Sequence, residues 1–124
     1  MKKKLLLVAL AFVIIVAYNF YTVDKELEEI SNSTILDFDF TSLADGVYHG
    51  IFETKILAAE VEVVIENEEI VEIRLIRHDH GRGEEAEKIT EHVVTEQSLM
   101  VDTIAGATIS SKVILKAIEN AVTN

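Results

Sequence analysis

Three patterns of apolar and polar positions follow one another along the chain. The first is an unbroken apolar or aromatic run from Leu5 to Tyr18, preceded by Lys2, Lys3 and Lys4 and interrupted at Asn19 before Val23. Nineteen residues from Leu5 to Val23 make a helix of roughly 28 Å, close to the hydrocarbon thickness of a bilayer. The lysines suit the cytoplasmic side, and Tyr18, Phe20 and Tyr21 suit the outer interface. A cleaved signal would need small residues just before the cut. Only Ala17 is available after the apolar core, with bulky Ile15 two positions earlier, so residues 1–23 are expected to form an uncleaved single-pass anchor at the cell membrane.

Residues 24–44 read as a tether, acidic at first and more apolar toward Phe40, whose first part extends the membrane helix by a turn or two. From residue 45 onward the period is that of strands. "VYHGIFET" is rich in β-branched and aromatic residues, and Gly50 inside it signals a bulge or a close backbone approach. In "AAEVEVVIE" Val61, Val63 and Ile65 share one face, while Glu60, Glu62 and Glu66 share the other. In "EIVEIRLIR" the same rule turns Val71, Ile73 and Leu75 inward. Two alternating runs joined by Asn67 and Glu68 predict an antiparallel hairpin with one buried face.

The period then changes to three and four. Ala86, Ile89 and Val93 mark one helix within "GEEAEKITEHVVTEQ", with three glutamates where the helix dipole favours them. Val113, Ala117 and Ala121, with Ile114, Ile118 and Val122, mark a second, for which Ser110 or Ser111 is the expected N-cap. The expected fold is α+β: a small antiparallel sheet covered by two helices, occupying residues 45–124 behind an N-terminal transmembrane helix.

Charge and composition then exclude whole classes of function. The exported part carries all 22 acidic residues and only eight of the 11 basic ones, a net charge of −14. Such a surface repels phosphate backbones, and Phe38, Phe40, Tyr48 and Phe52 are the only aromatics left there for stacking bases, so nucleic-acid binding is excluded. The chain has no cysteine. It therefore holds no disulfide, no cysteine-ligated iron–sulfur cluster and no thioether-linked haem.

The polar motifs are few. His78 and His80, with Asp79 between them, are spaced for one side of a strand, but zinc needs further ligands that spacing does not supply, and no metal site is expected. "HGRGEE" is a glycine-punctuated turn into a helix, with Arg77 and Arg82 nearby, and such turns more often connect elements than bind phosphate. No nucleophile, base and orienting group can be assembled from spacing, so hydrolase activity has no support. "DTIAGATISS" has a different character. Gly106 frees the backbone, Ala105 and Ala107 leave the approach bare, and Thr108 holds a hydroxyl where a helix begins. Read from the residues alone, it is a helix cap first and an anion or attachment site second.

Taken together, "DGVYHG", the "VEVVIENEEIVEIRLI" hairpin and "QSLMVDTIAGATISSKVILKAIENAV" resemble the FMN-binding domain proteins. That family includes the covalently flavinylated extracytoplasmic subunit of sodium-pumping NADH:quinone oxidoreductases and its ferredoxin-linked relatives. The closing segment is similar to the family's D-x-x-S-G-A-T-x-[ST]-S block, with Ala105 where the family usually has serine.

The resemblance implies an extracytoplasmic electron-transfer flavoprotein, with FMN joined to Thr108 through a phosphodiester by a separate flavin transferase that uses FAD as donor. Asp102, Ala105, Gly106 and Ala107 would then form the recognition and approach surface, and Ser110 and Ser111 the helix start beside the phosphate. A membrane or extracellular redox partner is implied as well. The alternative is a non-catalytic binding or interaction module of the same fold, with flavin held loosely or not at all.

Overall fold

A computed structural model describes residues 1–79 and 83–124. The chain order is helix α1 (Lys2–Asn32), a 3-10 turn (Phe40–Ser42), strands β1 (Gly46–Glu53), β2 (Ala58–Glu66) and β3 (Glu69–Asp79), a 3-10 segment (Glu84–Lys88), helix α2 (Ile89–Glu96) and helix α3 (Thr108–Thr123). The strands form one antiparallel sheet in the order β1-β2-β3. Helix α3 covers β1 and β2, and α2 lies against β3. The expected α+β architecture is therefore the one found.

Alternation in β2 works as expected: Ala59, Val61, Val63 and Ile65 are fully buried beneath the helices. The hairpin turns at Asn67 and Glu68, both with positive φ (52° and 66°). Two consecutive residues in that region define the tight turn whose twist matches paired strands, and Asn is well suited to it. Asp45 steadies the turn by accepting the Asn67 N–H at 2.9 Å.

Strand β3 departs from simple alternation. Ile70 is buried and Val71 is exposed, the reverse of the expected placing of Val71. The cause is a register shift: Ile65 pairs with Ile70 but Val64 pairs with Glu72, leaving Val71 as the extra residue of a bulge. Ile73 and Leu75 do pack against the core as expected. A second shift between Glu60 and Val61 makes Ile76 the next extra residue and brings His78 opposite inward-facing Ala59. The side chain of His78, a residue of β3, is thus buried, 2% exposed, with Nδ1 3.2 Å from Glu87 Oε1.

Gly50 resolves as a close approach. Strand pairing runs through it without a bulge, and a Cβ built there would lie 2.1 Å from the Ala117 carbonyl oxygen. Only glycine lets α3 settle this low on β1, and Ala117 and Ala121 are the small residues opposite. On the other flank, Asn120 of α3 donates to the Ile51 carbonyl at 2.8 Å.

Helix α1 is long and apolar enough to cross a membrane, with a mean hydropathy of 2.3 over its most apolar stretch and no part of that stretch buried. It does not stop at Val23. Beyond the apolar run Thr22, Val23, Glu26, Leu27 and Ile30 are partly or fully buried, whereas Asp24, Lys25, Glu28 and Glu29 are exposed. That spacing of three and four is one helix face docked on the domain. Lys112 donates to the carbonyls of Ser31 and Ser33, and Lys116 to that of Thr34 at 2.9 Å. Cationic donors at a helix C-terminus satisfy its unpaired carbonyls and oppose the dipole. Phe40 and Ile30 enter the core, with Leu27, Ile35, Phe38 and Leu43 packed against it. The segment after residue 23 is thus folded onto the domain.

Candidate functional site

Residues 104–107 form a tight turn in which the Ala107 N–H donates to the Ile104 carbonyl at 2.9 Å. Gly106 holds φ at +78°, the left-handed value this turn needs at its third residue. Space around it is open, since a Cβ there would meet nothing within 4 Å. The turn delivers the chain into α3, whose first residue is Thr108.

The expected serine cap is not found. Ala107 is the N-cap and has no hydrogen-bonding side chain to offer, while Ser110 and Ser111 lie inside the first turn and are buried. Ser111 Oγ accepts the Ile104 N–H at 3.1 Å, so this serine ties the preceding loop to the helix. A hydroxyl held in that way is committed to the fold. Sequence reasoning missed this because a serine next to a helix start is equally suited to capping and to tying.

The first helical hydrogen bond runs from the Ser111 N–H to the Ala107 carbonyl at 2.9 Å. The N–H groups of Thr108, Ile109 and Ser110 therefore have no acceptor within the helix, and no side chain caps it. No acidic residue stands in this first turn. That matters in so acidic a chain, because the 3-10 segment at Glu84–Lys88 has Glu84, Glu85 and Glu87 in the equivalent place. An anion is favoured at the start of α3 and repelled at the other.

Around the start of α3 lies an open groove of about 530 Å³, within the range usual for cofactor sites. Its walls come from four parts of the chain: Ile56 and Leu57 of the β1–β2 turn, Gly83, the stretch from Gly106 to Ser110, and Leu27 of α1. The β1–β2 turn is built by Thr54, whose Oγ1 accepts the Leu57 N–H at 2.9 Å. Glu26 fastens α1 to the same turn by accepting the Lys55 N–H at 3.2 Å. The walls are mostly apolar. The polar end is the free N–H array, with Thr108 exposed beside it.

Thr108, Gly106, Ala107 and Ser110 thus come together at one groove. Ala105 is exposed at the turn, and Ala107 is packed into the core instead of standing bare on the approach. Asp102 is exposed and lines a separate groove with Ser33, Thr34 and Lys112. Leu27, Ile56, Leu57 and Ile109 were missed, since apolar residues carry no chemical signature in a sequence. "HGRGEE" contributes Gly83 as a wall, and its His80, Gly81 and Arg82 lie outside the described residues. Among the described residues no group of three or more His, Asp or Glu side chains is arranged to hold a metal ion.

A flat apolar body with a phosphate at one end fits such a groove: apolar walls for the body, unpaired N–H groups and a helix dipole for the phosphate. Its chemistry suits a phosphate-bearing ligand at a helix N-terminus. The family model of the FMN-binding domain matches residues 57–123, and the chain belongs to that family. The matched stretch runs from Leu57 in the groove wall to the end of α3 and includes every part of the groove except Ile56 and Leu27. No curated protein and no solved structure matches the chain.

Proposed function

We propose that the protein is a membrane-anchored extracytoplasmic flavoprotein that carries FMN covalently on Thr108 and relays electrons to a redox partner. The observation that carries this reading is the exposed Thr108 hydroxyl at a helix start whose N–H groups are unpaired and free of competing carboxylates. Membership of the FMN-binding domain family supports the choice of cofactor.

Threonine is a weak nucleophile, and among the described residues no side chain hydrogen-bonds its hydroxyl as an activating base, so a separate flavin transferase performs the attachment. The Thr108 oxygen bonds to the flavin-side phosphorus of FAD, the pyrophosphate P–O bond breaks, AMP leaves, and the hydroxyl proton passes to a base on the transferase. Exposure of Thr108 and the open space at Gly106 give that enzyme access. The attached phosphate then satisfies N–H groups of Thr108, Ile109 and Ser110. Bound flavin supplies the one- and two-electron chemistry, while the chain holds it and sets its surroundings.

The length and hydropathy of α1 support a single span, with the lysines at Lys2 to Lys4 inside and the domain outside. Intact mass of the protein made in a host with the transferase tests the site. The wild type is expected to carry one FMN less water and Thr108→Ala none; a Thr108→Ala protein that keeps the added mass would overturn the assignment.

A further inference from the structure

Helix α1 continues past its apolar stretch and forms part of the groove lining. Leu27 lines the groove together with Thr108, and Glu26 is bonded to the β1–β2 turn that supplies another part of the lining. Further contacts between the segment after α1 and α3 follow in order. Ser31 and Ser33 meet Lys112, Thr34 meets Lys116, and the Leu36 N–H meets Glu119 at 2.9 Å. As the chain leaves the apolar span, it therefore meets successive turns of α3 from the N-terminal end to the C-terminal end. The start of α3 is the end nearest the apolar span.

From this we infer that the groove at Thr108 is held at the lipid–water interface, with Leu27 of the anchor helix as a fixed wall for the flavin. This placing rests on the reading of α1 as a span and of Thr108 as the flavin acceptor. Leu27 is four residues beyond Val23, about 6 Å along the helix axis. The other end of α3 is about 22 Å further along that helix. The docked face of α1, the lysine contacts and the burial of Ile30 fix the domain at this height. A cofactor so placed is presented to a partner embedded in the bilayer, and is shielded from a soluble one on the side of the lipid.

The absence of cysteine makes the test direct, because any introduced cysteine is unique. The full chain is reconstituted in lipid nanodiscs, and Thr108→Cys or Asn124→Cys is labelled with a bimane fluorophore. Lipid carrying a nitroxide at its headgroup is expected to quench the label at position 108 several-fold more strongly than the label at 124. Equal quenching at both sites, or stronger quenching at 124, would overturn the placing.

In the chain labelled at position 108, Leu27→Gln is expected to raise quenching by aqueous iodide several-fold, with Leu27→Met unchanged. Equal iodide access in the two variants would remove Leu27 from the wall. None of these readouts needs flavin. A wild-type protein without flavin by intact mass would sink the Thr108 reading while leaving the membrane placing to stand or fall on the labels.

Discussion

Gly50→Ala puts the packing of the site-bearing helix to the test. The new Cβ would lie 2.1 Å from the Ala117 carbonyl oxygen, 2.5 Å from the Ala121 nitrogen and 2.6 Å from the Ala121 Cβ. All three are backbone atoms or a Cβ, so no rotamer change relieves them. Helix α3 must lift from β1 by roughly 1 Å, and its contacts with Ala59, Val61 and Val63 loosen with it. Overpacking of this kind costs about 1–3 kcal/mol, and the lack of any side-chain escape puts this site at or above the upper end.

A folded unit of about 80 residues has roughly 4–12 kcal/mol in all. At about 4–8 °C per kcal/mol, a loss of 3 kcal/mol lowers Tm by roughly 12–24 °C. Thermal unfolding of the full chain in detergent, followed by circular dichroism, reads this out. Adding Ala121→Gly is expected to restore only part of the loss, since the clash with the Ala117 carbonyl remains. The sign is decisive: in an unobstructed strand Gly→Ala stabilises by about 0.4–1 kcal/mol. A Gly50→Ala protein as stable as wild type, or more so, would refute the close approach of α3.

Other expectations bear on the site itself. Ser111→Ala leaves the Ile104 N–H without its acceptor and is expected to cost about 1–2 kcal/mol in urea denaturation, with flavin attachment lowered as the turn loosens. Gly106→Ala meets no atom, so its cost of about 1–2 kcal/mol comes from the positive φ alone; Gly106→Asn, which tolerates that φ better, is expected to cost less. The Glu85 carboxyl titrates below its ordinary value because Lys88 donates to it, and Lys88→Gln is expected to return it, as read by NMR titration. Because the folded value is depressed, any stability from this pair is present at neutral pH and is lost as the pH falls through the Glu85 titration.

Much of the fold was legible because simple periods carried it. The faces of β2, the stripes of α2 and α3 and the apolar run of α1 are local consequences of periods of two and 3.6. The turn at Asn67 and Glu68 was readable from its length, and Gly50 announced a special approach without saying to what. The position of Thr108 at a helix start was legible from the small residues before it.

The remainder needed the folded chain. Two bulges decide which residues of β3 face inward, and bulges depend on pairing with β2, so alternation alone put Val71 on the wrong face. The N-cap was misplaced because Ser111 finds its partner in a loop seven residues earlier in the chain. The groove joins Leu27, Ile56, Leu57 and Gly83 to the start of α3 across as many as 81 residues of sequence (27 to 108), and nothing local marks an apolar wall. By itself the sequence determined the elements and the long apolar helix, because these depend on residue type and spacing. Only the tertiary structure decided what surrounds Thr108 and which end of α3 lies nearer the apolar stretch of α1, because those follow from contacts between distant segments.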